Sequence, residues 1–127
     1  MAKLMVVDDD PVLLNLIGKL LRRAGHDVTG ANSGEECLTL AARERFDVIV
    51  TDVMMPGMDG LELTRRLRAD PATRDVRILV VTSALRGPDA DEARLAGADD
   101  SDMKTVNAAR LSEKIASLLA APASGPT

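Results

Sequence analysis

The chain has 127 residues, ordinary apolar and charged fractions and a net charge of −4, enough for one domain around a single core. This balance excludes a basic footprint for nucleic acid or an anionic membrane, and Phe46, the only aromatic, cannot build a base-stacking platform or an aromatic-anchored groove. Cys37 is alone, which excludes an internal disulfide or thiolate metal site, and without a long apolar run or signal-peptide pattern the expectation is a cytoplasmic protein with no membrane partner.

Lys3 to Val7 reads as a short apolar strand ending in Asp8-Asp9-Asp10. Asp10 suits an N-cap and Pro11 the first helical turn. Leu13, Leu16, Ile17, Leu20 and Ala24 recur at helical spacing up to Gly25. A weaker strand spans Asp27 to Ala31. Ser33 and Glu36 form a capping box for a helix with Cys37, Leu38, Ala41 and Ala42 on its inner face. Cys37 there reads as a small core residue, and His26 as an exposed turn residue.

Asp47 to Thr51 is the central strand, a β-branched run suited to burial on both faces of a parallel sheet. It delivers Asp52 to the following loop. Pro56-Gly57 marks a turn, and the Asp59/Glu62 pair opens a helix that runs to about Ala69. Arg77 to Val81 is another buried-type strand, followed by Thr82-Ser83. Gly87-Pro88 and the Asp89/Glu92 pair start the next helix, and Gly97 ends it. Asp99 to Met103 occupies the place of a fifth strand but is a poor β-former. Asn107 caps a last helix with Ala108, Leu111, Ile115 and Leu118 on one face. Residues 121–127 read as a flexible tail or the start of a linker.

Strand and helix alternate five times. The expected fold is α/β, a doubly wound five-stranded parallel sheet with helices on both faces. In such sheets the carboxyl edge carries the site. Asp8, Asp9, Asp52, Thr82 and Lys104 would meet there. Like charges about 4 Å apart cost roughly 4 kcal/mol at an effective dielectric of 20, so a proton or a cation must relieve the cluster. An all-oxygen donor set suits Mg²⁺, Mn²⁺ or Ca²⁺ rather than zinc, and few protein ligands favour Mg²⁺ with a phosphate-type substrate. Carboxylate, metal, ammonium and hydroxyl together suit phosphoryl transfer.

Five pieces carry a resemblance: Met5-Val-Val-Asp8-Asp9, Asp52-Val-Met-Met-Pro56-Gly-Met-Asp-Gly60, Val81-Thr82-Ser83-Ala84, Ala96-Gly-Ala98, and Lys104. In their order and spacing the chain resembles the receiver domain of two-component response regulators from about Lys3 to Leu119, and the expected receiver domain spans residues 1–120. The resemblance implies that Asp52 is the phosphoacceptor. Asp9 and Asp52 would bind Mg²⁺ with the main-chain carbonyl of Met54, and Asp8 would act mainly through bound water. Lys104 would contact a phosphoryl oxygen, and Thr82 would be the switch hydroxyl. The implied partners are a sensor histidine kinase or phosphotransfer protein as donor, and a downstream protein as reader.

Two departures weigh against a standard switch. Ser101 stands where the family has a switch aromatic, and Thr105-Val106 where Pro usually follows the lysine. The alternative is therefore a receiver read by its partner regardless of phosphorylation. A metal-dependent phosphatase would need a second carboxylate two residues after Asp52, where Met54 stands, so no enzyme acting on a separate substrate is expected.

Overall fold

The computed structural model describes residues 2–82, 90–103 and 107–120. Its elements alternate as β1 (Lys3–Val7), α1 (Pro11–Arg23), β2 (Asp27–Ala31), α2 (Gly34–Arg43), β3 (Val48–Asp52), α3 (Gly60–Ala69), β4 (Arg77–Thr82), α4 (Ala90–Ala96), β5 (Asp100–Met103) and α5 (Ala108–Ala120). The strands form one sheet in the order β2-β1-β3-β4-β5, all parallel. This is the expected doubly wound sheet.

Alternation along the strands divides the core into two layers. Met5, Val7, Ile49, Ile78 and Val80 pack with residues of α2, α3 and α4. Leu4, Val6, Val48, Val50, Leu79 and Val81 pack with Ile17 and Leu21 of α1 and with Leu111, Ile115 and Leu118 of α5. Each such aliphatic side chain contributes about 1.5–3 kcal/mol on full burial. β3 is buried at all its positions, because it lies between β1 and β4 and under helices on both faces.

The expected caps form. Asp10, Ser33 and Asp59 accept from backbone N–H groups at the starts of α1, α2 and α3, and Asn107 Oδ1 accepts from Arg110 N at 3.1 Å. The proposed helix start over residues 87–89 lies outside the described residues, as does the tail at 121–127. β3 begins one residue later than expected and runs through Asp52, so Asp52 is the last residue of the strand itself.

The inner face of α1 also differs. Ile17, Gly18 and Leu21 are buried with Leu14 packed beside them, whereas Leu16 and Ala24 are exposed. The helix carries an apolar arc wider than its contact with the sheet, and periodicity alone could not centre it. In α2, Cys37 is in the core as expected, and burial pushes its thiol up to about 12; Ala42 is exposed. His26 is half-buried rather than exposed, held where its backbone N–H meets Leu21 O at 3.2 Å.

At the amino-terminal edge of the sheet, Arg68 ties three segments together. Its guanidinium donates to Gly97 O (2.8 Å), Arg74 O (2.8 Å) and Val76 O (2.6 Å), and it pairs with Asp99 at 2.8 Å. Asp99 Oδ2 also accepts from Ile78 N at 2.7 Å. Gly97 has φ of +113°, and a Cβ there would lie 2.7 Å from Arg68 Cγ. Both facts require glycine.

β5 explains its own unusual composition. The N–H groups of Ser101 and Met103 are accepted by Asp100 Oδ1 and Asp102 Oδ1, each at 2.8 Å. The same two carboxylates reach α5, where Lys114 Nζ meets Asp100 Oδ2 at 3.0 Å and Arg110 holds Asp102 through Nε and Nη2, both at 2.8 Å. A strand spacing of two residues matches a helix spacing of four, so one ladder of charge joins strand and helix.

Arg110, through its hydrogen bonds, holds the Asp102 carboxyl below its usual range. A depressed folded value means that this contribution is present above the unfolded value, about 3.9, and is lost as pH falls through the folded value. Asp102→Asn is therefore expected to destabilise the chain at neutral pH, with a deficit that shrinks toward strongly acid pH. Urea unfolding of both proteins across the acid range checks this; a deficit independent of pH would refute it.

Candidate functional site

β1 and β3 are neighbours, paired as Val7 with Thr51. The residues that follow this pair are Asp8 and Asp52. Asp8 is 2% exposed and Asp52 4%; Asp9 is exposed. One carboxylate oxygen from each of Asp8, Asp9 and Asp52 lies within 4.8 Å of the others. Strand register thus brings Asp8 and Asp52 together, and Asp9, next in the chain, completes the triad expected from sequence.

Local bonds hold the parts. Asp8 N donates to Ala31 O at 3.1 Å, which fixes the end of β1 against β2. Asp8 Oδ1 accepts from Asp10 N at 3.0 Å, orienting that carboxylate. Asp10 Oδ1 in turn accepts from Val12 N at 3.0 Å and caps α1. The acidic run therefore divides its labour, with Asp10 structural and Asp8 and Asp9 turned to the cluster.

At these separations each like-charge pair costs roughly 3–4 kcal/mol at an effective dielectric of 20. The donor set is all oxygen, two members are buried and the third is open to water. That combination fits a hard divalent cation that retains water ligands, which is the behaviour of Mg²⁺.

The loop after β3 is fitted rather than loose. Met55 is buried and Met54 is 58% exposed. Met58 rests on α2, where a Cβ at Gly34 would lie 2.8 Å from its Sδ. Gly60 N donates to Val53 O at 2.9 Å, and a Cβ at Gly60 would lie 2.2 Å from Asp52 O. The start of α3 therefore meets the backbone of Asp52 with no room for a side chain.

Thr82 is the last residue of β4 and half-buried. It stands one step beyond Val81, the register partner of Asp52, and it pairs with Met103 of β5. β4 and β5 thus end on the same edge. Lys104, which follows Met103, lies outside the described residues, as do Ser83, Ala84, Thr105 and Val106. A separate cavity of about 460 Å³ at the opposite edge, lined by Phe46, Thr73 and Val76 among others, does not include the carboxylates.

Sequence reasoning missed Thr51 and Thr64. Both are fully buried, and both donate their hydroxyls to backbone carbonyls, Thr51 to Asp52 O at 2.9 Å and Thr64 to Gly60 O at 2.7 Å. For Thr51 the available signal was a hydroxyl inside an otherwise aliphatic strand; Thr64, on helix α3, offered none.

Gly60→Ala is expected to force the start of α3 away from β3 and lower stability by about 1–3 kcal/mol, the usual cost of overpacking. Denaturant unfolding measures this, and amide shifts should move most at Asp52 and Val53. Wild-type stability with unmoved shifts would show that the close approach constrains nothing.

The family model of the response regulator receiver domain matches residues 4–116. Protein PilH of Pseudomonas aeruginosa is 32% identical over 120 residues, covering 94% of this chain and 99% of PilH. The response regulator PleD of Caulobacter vibrioides is 34% identical over 117 residues, but the chain spans only 26% of it. Among solved structures, the chemotaxis protein CheY4 of Vibrio cholerae superposes with a TM-score of 0.87 at 32% identity, covering 94% of this chain and 99% of that one. The receiver domain of the sensor histidine kinase PA1611 of Pseudomonas aeruginosa, solved with a magnesium ion coordinated in its active-site cleft, gives a TM-score of 0.85 at 29% identity, covering 94% of this chain and 98% of that one.

Proposed function

Because the chain belongs to the response regulator receiver domain family, a family of two-component signalling domains, we propose that it accepts a phosphoryl group from a phosphohistidine donor onto Asp52 and signals through protein contacts. The observation that carries this reading is the meeting of Asp8, Asp9 and Asp52 within 4.8 Å at the ends of two adjacent strands. Receiver domains work with histidine kinases and downstream partners. Here the donor is a sensor kinase or phosphotransfer protein and the reader a downstream protein, both met in the cytoplasm. Residues 1–120 form the receiver, and 121–127 a tail or linker.

In the reaction an Asp52 carboxylate oxygen attacks phosphorus as the bond from phosphorus to the donor's imidazole nitrogen breaks. The product is an acyl phosphate and a free imidazole. Asp9 and Asp52 would hold Mg²⁺ with the Met54 carbonyl, and Asp8 would act through water. The bound ion supplies charge neutralisation on the transferring oxygens. Lys104 adds a cation to a phosphoryl oxygen, and Thr82 a hydroxyl donor. Burial of Asp8 and Asp52 keeps bulk water from screening these charges. The chain acts on itself rather than turning over a separate substrate.

A specific observation favours a second reading for the output, one that does not depend on phosphorylation. Ser101 is too small to carry a burial switch, and its neighbours Asp100 and Asp102 are anchored to α5. A shift from mostly one state to mostly the other needs about 5.5 kcal/mol of differential affinity, and a swinging serine contributes little of it. The β5–α5 surface would then present the same side chains in both forms.

Acetyl phosphate with Mg²⁺ is expected to add one phosphoryl group, seen by intact mass, and Asp52→Asn is expected to lose it; equal labelling of that variant would move the acceptor elsewhere.

Beryllofluoride is expected to shift backbone amides strongly near Asp52 and only modestly over residues 100–103 and 107–120. Comparable changes across both regions would show that a switch runs through β5 without the aromatic.

A further inference from the structure

The buried polar and charged residues, among those described, are Asp8, Thr51, Asp52 and Thr64. Asp8 and Asp52 belong to the acidic cluster. Thr51 and Thr64 lie behind it, and no role has been given to them. Side chains alternate along β3, with Ile49 and Val53 in the layer under α2, α3 and α4 and Val48 and Val50 in the opposite layer. Thr51 falls in the first series and Asp52 in the second. A threonine in the first series has aliphatic neighbours, and valine would fill that place with no polar group to bury.

Both hydroxyls are engaged, each with a backbone carbonyl of one of the two residues, Asp52 and Gly60, at which β3 and α3 approach each other. Thr51 Oγ1 donates to Asp52 O at 2.9 Å. That bond closes a ring containing ψ of Thr51 and both φ and ψ of Asp52, the torsions that set where the Asp52 side chain leaves the strand. Thr64 Oγ1 donates to Gly60 O at 2.7 Å, a back-bond across one helical turn. Gly60 N is held by Val53 O at 2.9 Å, and Gly60 Cα abuts Asp52 O so closely that a Cβ would lie 2.2 Å from it. The strand end and the helix start thus meet through Gly60 and the Asp52–Val53 backbone, and a hydroxyl on each side of that contact fixes the local backbone, Thr51 on the strand and Thr64 on the helix.

We propose that Thr51 and Thr64 are positioning residues for the phosphoacceptor: they hold the Asp52 backbone so that its carboxylate meets those of Asp8 and Asp9 at a cation-binding separation. The proposal rests on the reading of Asp52 given above. It differs from a packing role in its consequences. Loss of a hydroxyl should relax the direction of the Asp52 carboxylate while leaving the core volume nearly unchanged. Removing a partner that orients a metal ligand weakens metal binding by 10–100-fold in well-studied sites.

The test uses the full chain and Mg²⁺ alone, followed by amide shifts, with beryllofluoride uptake by fluorine NMR as a second readout. Thr51→Val is expected to weaken Mg²⁺ roughly tenfold with the sheet intact by amide shifts, and Thr51→Ser, which keeps the hydroxyl, is expected to restore binding toward wild type. Thr64→Val should weaken it in the same direction by a smaller factor, since it acts through Gly60. If either valine variant fails to fold, the other and the serine variant carry the test. Wild-type Mg²⁺ affinity in folded Thr51→Val, or equal loss in Thr51→Ser, would overturn the positioning role. Absence of Mg²⁺ binding in the wild-type chain would instead overturn the reading of the acidic cluster.

Discussion

Two carboxylates buried side by side are a standing repulsion, and the arrangement of this molecule follows from the need to hold them there. Asp52 ends β3 and Asp8 directly follows β1, and the two strands are adjacent and in register. Their separation is therefore set by the sheet, whose spacing of about 4.8 Å between strands is a property of backbone hydrogen bonding. No flexible loop could keep such groups together against roughly 3–4 kcal/mol of repulsion per pair. The burial of β3 on both faces supplies the opposing term, since sliding either strand would expose aliphatic side chains in both layers.

The two edges of the sheet are built on different principles. The carboxyl edge concentrates like charge and tolerates it for chemistry. The amino edge concentrates satisfaction: Arg68 is shared among three carbonyls and Asp99. Removing one member of a buried, hydrogen-bonded pair such as Arg68–Asp99 generally costs about 3–5 kcal/mol. Stability secured at that edge leaves the opposite edge free to be electrostatically unfavourable.

Much of this was legible in the chain itself. The aliphatic runs of β1, β3 and β4, the caps Asp10, Ser33, Asp59 and Asn107, and the alternation of elements all follow from local chemistry, and register then brings Asp8 and Asp52 together. What escaped was what depends on tertiary context. The inner face of α1 was displaced because leucines surround much of that helix. β5 looked unlike a strand because propensity counts side chains as isolated groups, whereas Asp100 and Asp102 are matched by Lys114 and Arg110 on an element yet to come. Thr51 and Thr64 were passed over because a hydroxyl reads as unremarkable until the carbonyl it reaches is known.

β5 has a wider consequence. An edge strand ordinarily offers a row of vacant donors to any passing chain. Here Ser101 and Met103 already give their N–H groups to the preceding aspartates, whose remaining capacity is taken up by α5. A second chain seeking to accept those N–H groups at this side would have to displace the carboxylates and break the charge ladder. The Asp-x-Asp strand with basic residues four apart on the next helix thus blunts the donor side of this sheet edge, charge on the edge being one of the devices by which proteins discourage strand addition.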